Sequence, residues 1–540
     1  MSEDTLGPGG PHSRSGSAAL YGRRRARRSL IHTAAFRIAA QLATFVGYIV
    51  FVRNMPELDF GVFNLLYAMI PLISTLASLG LESTLRRYQP EYLQSGNEAG
   101  SQWLVRFVSR ARLGANALIL LAILVTWDLT AHFFKIEAYR VQFAVFGLVI
   151  LVYFQSRILQ FSLASHMLHG YSVGSVALLS VAKLVGYVTL AAFDRLDLNA
   201  AIAIDAAAYG CAYVFLFLAH RQHCPVNSSN DGYQPKKPER KRLIRYGLLN
   251  NFNDAGTLVL MSRSDNFFIA AILDPISVGI YSFYLRLDEM ITRLLPVGLF
   301  ENVVQPLFFA LSTENAGDRL PRYFSLLLNL NLLVQMPLMA YVTVYHTDLV
   351  TVVFGGKFME WSYLLPLVVG FSTLNVIDKP VTLTAQYRER AGVILASKLL
   401  AIYNVIALIV LLPILGLAGA VIASGSAQVL KSAYIWWYVR QDGRWLHWRG
   451  ALATCVLLWG GAVVVCWFLK RVVTVHPMVH LLVGAIIMGS TALLYVRSPA
   501  LSASDRSILG SVLSGRERRL MQLLGMIPST SPSPPPDGPR

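Results

Sequence analysis

Apolar runs of about 18–22 residues recur along nearly the whole chain, each long enough to cross roughly 30 Å of hydrocarbon as a helix at 1.5 Å per residue. About fourteen such spans are expected, near 30–52, 60–82, 113–134, 141–165, 171–193, 200–219, 246–273, 279–300, 323–345, 363–385, 392–413, 416–438, 450–469 and 475–496. Of the 540 residues, 55% are hydrophobic and only 14% charged, a balance outside that of soluble domains. The expected fold class is therefore all-α, a polytopic membrane protein.

The net charge of +17 decides the orientation. With a cytoplasmic N-terminus, both termini and the even-numbered loops hold 31 of the 47 Lys and Arg residues. These include the "RRRARR" run from Arg23 to Arg28, Arg86, Arg87, Arg106, Arg110, Arg112 and the loop around "KKPERKR". The opposite side holds 7: Arg53, Lys135, Arg140, Arg195, Lys357, Lys470 and Arg471. This positive-inside asymmetry places both termini in the cytoplasm with an even number of spans. The charge carries no aromatic-interleaved stripe or nucleic-acid motif, so the reading excludes a nucleic-acid partner; "RRRARR" reads as an orientation signal near anionic lipid. The first 29 residues read as a retained basic segment, since a full-length span follows and no small-residue cleavage site is present. The Pro/Ser-rich end, "PSTSPSPPPDGPR", reads as a disordered cytoplasmic tail.

The two halves echo each other. "DFGVFNLLY" (59–67) aligns with "SVGIYSFYL" (277–285), and Gln89-Pro90 with Gln305-Pro306, at nearly one offset. In each copy a short polar link leads to a Gly, one residue and an aromatic (Gly61 and Phe63, Gly279 and Tyr281), then a span and the Gln-Pro pair. There the Pro is expected to end the helix at a cytoplasmic hinge. The pattern predicts a parallel repeat of two six-helix lobes, 30–219 and 246–438, joined by a basic cytoplasmic linker at 220–245. Two further helices at 450–496 and a tail at 497–540 follow.

Charges inside spans cost at least about 2.5–3.5 kcal/mol each, so they mark a cavity or a partner. The first lobe carries Arg37, Glu82, Arg157, Lys183 and Asp205; the second carries Asp254, Arg263, Asp265, Arg286, Asp288, Glu289, Arg293 and Glu301, with Asp378, Lys379, Lys398 and Lys431 further on. Arg286, Glu289 and Arg293 share one helix face by spacing. Cationic side chains on a water-exposed wall can hold a diphosphate through bidentate guanidinium bonds, with carboxylates balancing the empty site. The alternative is structural ion pairing, Arg286 with Glu289 and Arg263 with a carboxylate on another helix. Asp254, Asp265 and Asp205 are the candidate ion-coupling carboxylates. No Walker motif, HExxH, nucleophile elbow or metal-ligand spacing is present, and the non-cytoplasmic loops are short, so neither a cofactor nor a metal is expected and the reading is of a non-enzyme.

Residues 55–93, "MPELDFGVFNLLYAMIPLISTLASLGLESTLRRYQPEYL", and 262–287, "SRSDNFFIAAILDPISVGIYSFYLRL", resemble the multidrug/oligosaccharidyl-lipid/polysaccharide (MOP) exporter superfamily, and within it the Wzx-type polysaccharide flippases. The resemblance spans about 30–496 and lies in the ensemble of motifs. It implies two six-helix bundles around a central cavity, with two extra helices forming a lipid-facing groove. It also implies transport of an undecaprenyl-diphosphate-linked oligosaccharide from the cytoplasmic to the outer leaflet of the bacterial inner membrane, coupled to an ion gradient. Cavity arginines contact the diphosphate in related flippases, a role carried over to Arg37 and Arg263, then Arg286 and Arg293. The partners implied are membrane lipids, the lipid-linked oligosaccharide and a polysaccharide polymerase or biosynthetic complex. Two other functions compete: a cation-coupled drug or metabolite exporter of the same superfamily, and a membrane-embedded glycosyl- or phosphotransferase. Nine Lys/Arg against eight Asp/Glu in or at the edges of the spans do not separate the first two. Fourteen spans favour flipping, and the absence of a catalytic loop disfavours a transferase.

Overall fold

The computed structural model describes residues 23–78, 80–224, 258, 260, 262–294, 316–388, 390–440, 448–498, 501, 505, 506 and 522, without the side chains of 23–38, 291–294, 316–323, 391 and 448–452. The described residues form helices and turns and no strand. Ten helical stretches are long and apolar enough to cross a membrane, and each falls on one of the expected spans. Of the other four, 30–52, 279–300 and 416–438 overlap described helices, and 246–273 lies largely outside the described residues.

The chain divides into two compact units, Met1–Leu258 with Asp274–Gly279, and Val259–Leu273 with Ile280–Arg540. The first unit contains α1 (Arg23–Asn54), α2 (Glu57–Ser78), α3 (Leu81–Gln94), α4 (Glu98–Val125), α5 (Trp127–Phe134), α6 (Arg140–Ser165), α7 (His169–Ala192) and α8 (Leu198–His223). Here α1 lies along α7, α6 and α7 both pack on α8, and α2 packs on α4 and α8. Phe51, Phe60, Phe63, Phe143, Phe146 and Phe154 are all buried and supply much of its core. Side chains that face away, such as Leu118, Leu121 and Val125 on α4, are large, apolar and exposed, as a lipid-facing surface requires.

The acidic turns of the repeat act as helix caps. Asp59 Oδ2 accepts the Leu198 amide at 3.0 Å, and Asp274 Oδ1 accepts the Ser277 amide at 2.7 Å. The paired glycines mark a close approach within the first unit: a Cβ on Gly61 would stand 1.9 Å from the Pro275 carbonyl oxygen, and one on Gly279 would stand 3.1 Å from the Gly61 backbone.

Three expectations need correction. Pro90 does not end its helix but lies inside α3; the chain turns instead at Gly80 (φ 69°) before it and at Gly96 (φ 72°) after it. Gln89 is fully buried, and its Nε2 donates to Ser162 Oγ on α6 at 2.8 Å, so the Gln-Pro pair packs helices together rather than hinging them. The second Gln-Pro pair lies outside the described residues. The span expected at 113–134 begins earlier, at Glu98, capped by Asn97 Oδ1 accepting the Gly100 amide, and breaks at Thr126. Arg106, Arg110 and Arg112 therefore belong to a helix and not to a loop.

The second unit contains α9 (Asp265–Ile272), most of α10 (Pro275–Leu294), α11 (Ala316–Phe354), α12 (Leu364–Leu374), α13 (Asp378–Tyr387), α14 (Ala391–Ser397), α15 (Leu400–Leu415), α16 (Leu417–Val439), α17 (Trp448–Val472) and α18 (Pro477–Arg497). The last two helices are part of its core: Cys455, Trp459, Cys466, Met488 and Tyr495 pack with Phe324, Leu332 and Tyr345 of α11. Gly484 permits this contact, since a Cβ there would stand 2.3 Å from Tyr345 Cε2.

Candidate functional site

In the second unit, Arg263, just before α9, grips Glu289 of α10 with Nη2 at 2.9 and 2.8 Å from the two carboxylate oxygens and Nε at 3.3 Å. Arg286, one turn before Glu289, donates to Oε2 of the same carboxylate at 3.0 Å. Among the described side chains one carboxylate thus serves two guanidiniums, and these three groups sum to a charge of +1. The side chains of Arg263, Arg286 and Glu289 keep 43%, 33% and 31% of their exposure, so the cluster is open to an incoming anion. Arg293 lies on the same face of α10 by spacing, and its side chain is outside the described ones.

Asp265 opens α9 and is fully buried. Tyr281 donates to its Oδ2, and Ser424 of α16 donates to the same oxygen at 2.5 Å. Ser424 Oγ also lies 3.1 Å from Asn404 Oδ1 on α15, while Asp265 Oδ1 has no hydrogen-bond partner. Ser424 has a single proton for two acceptors.

In the first unit, Asp205 of α8 is fully buried and forms an ion pair with Lys183 of α7 at 2.7 Å. Tyr67 of α2 donates to Asp205 Oδ2 and accepts from Lys183 Nζ at 2.5 Å, and Tyr187 donates to Oδ1 at 3.3 Å. Lys183 also stands 4.8 Å from the Tyr209 ring centre. Asp205 is therefore compensated by a resident ammonium, whereas Asp265 has no ion pair among the described residues and is held by the Tyr281 and Ser424 hydroxyls.

A third cluster centres on Glu82. Arg112, fully buried, donates to Ser74 O and Oγ at 2.9 Å each and to Glu82 Oε1 at 3.2 Å, and lies 4.5 Å from the Phe154 ring centre. Arg157 reaches Glu82 Oε2 at 3.6 Å. The sequence reading missed Arg112 by assigning it to a loop. Its register was the available signal, because 112 continues the buried stripe Leu104, Val105 and Val108 along α4. Tyr67 and Lys470 were also missed as partners; Lys470 pairs with Asp348 at 2.7 Å and donates to Val344 O. Lys431 pairs with Asp378 at 2.9 Å.

The structure thus brings Arg263 and Arg286 together on Glu289, joining the two ion pairs that the sequence offered as the alternative to substrate contact. It places Asp205 and Asp265 in separate buried networks. Asp254 and Glu301 lie outside the described residues, and Arg37 lies in α1 with its side chain outside the described ones. Among the described residues no group of three His, Cys, Asp or Glu side chains is placed to hold a metal ion.

Residues 26–312, more than half of the chain, match the family described as polysaccharide biosynthesis protein. The chain belongs to this family. No curated protein sequence is significantly similar to this chain. Its fold is shared with solved membrane transport proteins. It resembles the lipid II flippase MurJ in an inward closed conformation, at 13% identity and a TM-score of 0.63, over 86% of this chain and 98% of that one. It also resembles an inward-facing multidrug resistance MATE transporter of the MOP superfamily, at 13% identity and a TM-score of 0.56, over 74% of this chain and 94% of that one. This fold and the ten membrane-length apolar helices make the chain a multi-pass membrane protein.

Proposed function

We propose that the protein is a flippase that carries an undecaprenyl-diphosphate-linked oligosaccharide from the cytoplasmic to the outer leaflet of the bacterial inner membrane by alternating access. The Arg263–Glu289–Arg286 cluster carries this reading. Two partly exposed guanidiniums share one carboxylate within the helical region, and a diphosphate offers them more acceptor oxygens than Glu289 does, in the same bidentate geometry. Glu289 then acts as an internal placeholder that keeps the empty site near neutrality and yields to the substrate. Arg293 extends the same face, and Arg37 is the corresponding cation of the first lobe, 30–219. The fold shared with a protein named as a lipid II flippase supports a lipid-linked substrate.

Asp265 is the foremost ion-coupling group in this reading, since it has hydroxyl partners, an open oxygen and, among the described residues, no ion-paired cation. Asp254 stands with it by sequence, and Asp205 is the coupling group of the first lobe only if Lys183 releases it. Both termini are cytoplasmic, and a polysaccharide polymerase or biosynthetic complex receives the product. Complementation of a flippase-deficient, polysaccharide-producing strain tests the proposal, with lipid-diphosphate-sugar on the cytoplasmic leaflet as readout. Wild type should clear the accumulated lipid. Arg263→Ala and Arg286→Ala should leave it in place at equal membrane levels, and clearance by both variants would remove the arginines from the site.

A further inference from the structure

Helix α4 presents a face that the flippase reading does not use. Its buried stripe runs through Leu104, Val105, Val108 and Arg112, so the opposite stripe, Trp103, Arg106, Phe107 and Arg110, is exposed. Trp103 and Phe107 stack at 5.3 Å with an interplanar angle of 4°, forming one flat aromatic surface. Arg106 and Arg110 stand beside it one turn apart, and neither has a hydrogen-bond or ion-pair partner among the described residues. Ala99 and Ala111 flank this stripe and leave it uncrowded. Further along the helix the exposed side becomes purely apolar, through Leu113, Leu118, Leu121 and Val125. The face therefore changes within roughly 10 Å from two cations and an aromatic pair to hydrocarbon-compatible side chains, the depth over which a bilayer passes from headgroup to acyl chain.

We propose that this face is a binding site for the headgroup of an anionic phospholipid in the cytoplasmic leaflet. The two guanidiniums take the phosphodiester and any second anionic group. The Trp103–Phe107 surface takes the glycerol and upper acyl region, the place that aromatic side chains favour at the interface. Charge complementarity selects this occupant. Arg106 and Arg110 lie on the side of the membrane that the sequence makes cytoplasmic, where anionic lipids attract basic segments. The chain's own next segment is excluded on the same ground: Gln102 on α4 donates to the Cys224 carbonyl at 3.0 Å, so the linker starts beside this face, and its "KKPERKR" run repels the two arginines while adding to the attraction for anionic lipid.

Native mass spectrometry of the full chain in detergent, titrated with phosphatidylglycerol and separately with phosphatidylcholine, tests the site. Wild type should retain phosphatidylglycerol in preference to phosphatidylcholine, and the preference should fade in high salt. Arg106→Gln with Arg110→Gln should weaken phosphatidylglycerol binding about 30-fold, or about 2 kcal/mol at about 1 kcal/mol per neutralised arginine. Arg106→Lys with Arg110→Lys should retain most of it, and Trp103→Ala should weaken both lipids. Both arginines are exposed, so neither double variant should change thermal stability, which separates lost binding from lost fold. Equal retention of the two lipids by wild type, or unchanged phosphatidylglycerol binding by the glutamine variant, overturns the proposal. So does phosphatidylglycerol displaced stoichiometrically by added undecaprenyl diphosphate, which would make this face a substrate entry point.

Discussion

Removing one member of the Lys183–Asp205 pair should destabilise the protein far more than removing both. Asp205 is fully buried and Lys183 keeps 18% of its side-chain exposure, with 2.7 Å between the charged atoms. Asp205→Asn leaves the ammonium with the Tyr67 hydroxyl and the Tyr67 and Tyr209 rings but no carboxylate. Lys183→Met leaves a carboxylate held by two tyrosine hydroxyls. Breaking a buried pair from one side costs about 3–5 kcal/mol, and the partial exposure of Lys183 sets the lower end for Asp205→Asn. At about 2–4 °C per kcal/mol for a unit of roughly this size, a loss of about 3 kcal/mol lowers the melting temperature of the purified protein by about 6–12 °C. The double variant replaces both charges and should melt within a few degrees of wild type, giving a coupling energy near the sum of the two single-variant losses in a double-mutant cycle. Two small, additive single effects would refute the reasoning, since they would mean that the pair is not buried together in the membrane-embedded protein.

Two further predictions concern groups that the fold leaves no room to change or to charge. Gly419→Ala should destabilise by about 1–3 kcal/mol, because its Cβ would fall 2.2 Å from the Leu411 carbonyl oxygen, while Gly461→Ala, with nothing within 4 Å, should be neutral or stabilising; thermal unfolding of the two variants side by side checks this. The Cys224 thiol, just outside the α8 span, is pushed up to about 12 by burial, with the Glu98 carboxylate adding to the rise. A thiol raised in the folded state contributes stability at pH values below its unfolded value of about 8.5, and that contribution is lost as pH climbs towards 12. Iodoacetamide at pH 8 should therefore label Cys224 only after unfolding, read by peptide mass spectrometry, and fast labelling of the folded protein would contradict its burial.

Span positions were legible in the sequence because hydrocarbon thickness fixes the length of an apolar run, and ten described helices fall where such runs lie. Helix ends were less so. The run at 113–134 looks continuous in composition, yet its helix starts at Glu98, since the arginines at 106 and 110 tolerate an exposed helix end and Arg112 finds Glu82 and Ser74. Local rules also misread Pro90. A proline removes one backbone donor, but a helix that already begins at Leu81 can keep it near its end when Gln89 is fixed by Ser162. Arg286 and Glu289 were readable as one face because they are a turn apart. The pairing of Glu289 with Arg263, 26 residues away, and of Lys183 with Asp205 depends on tertiary packing that spacing along one helix does not encode.

The central claim is transbilayer movement of a lipid-linked oligosaccharide driven through the Arg263–Glu289–Arg286 cluster. Its most direct test is a proteoliposome assay in which undecaprenyl-diphosphate oligosaccharide, initially in one leaflet, becomes accessible to a glycan-modifying probe on the other side. Wild-type protein should raise the rate well above protein-free vesicles, and Arg263→Ala with Arg286→Ala should return it to the protein-free level with the protein still folded. A wild-type rate equal to that of protein-free vesicles would contradict the claim of flipping, and a double variant as fast as wild type would contradict the role given to the cluster.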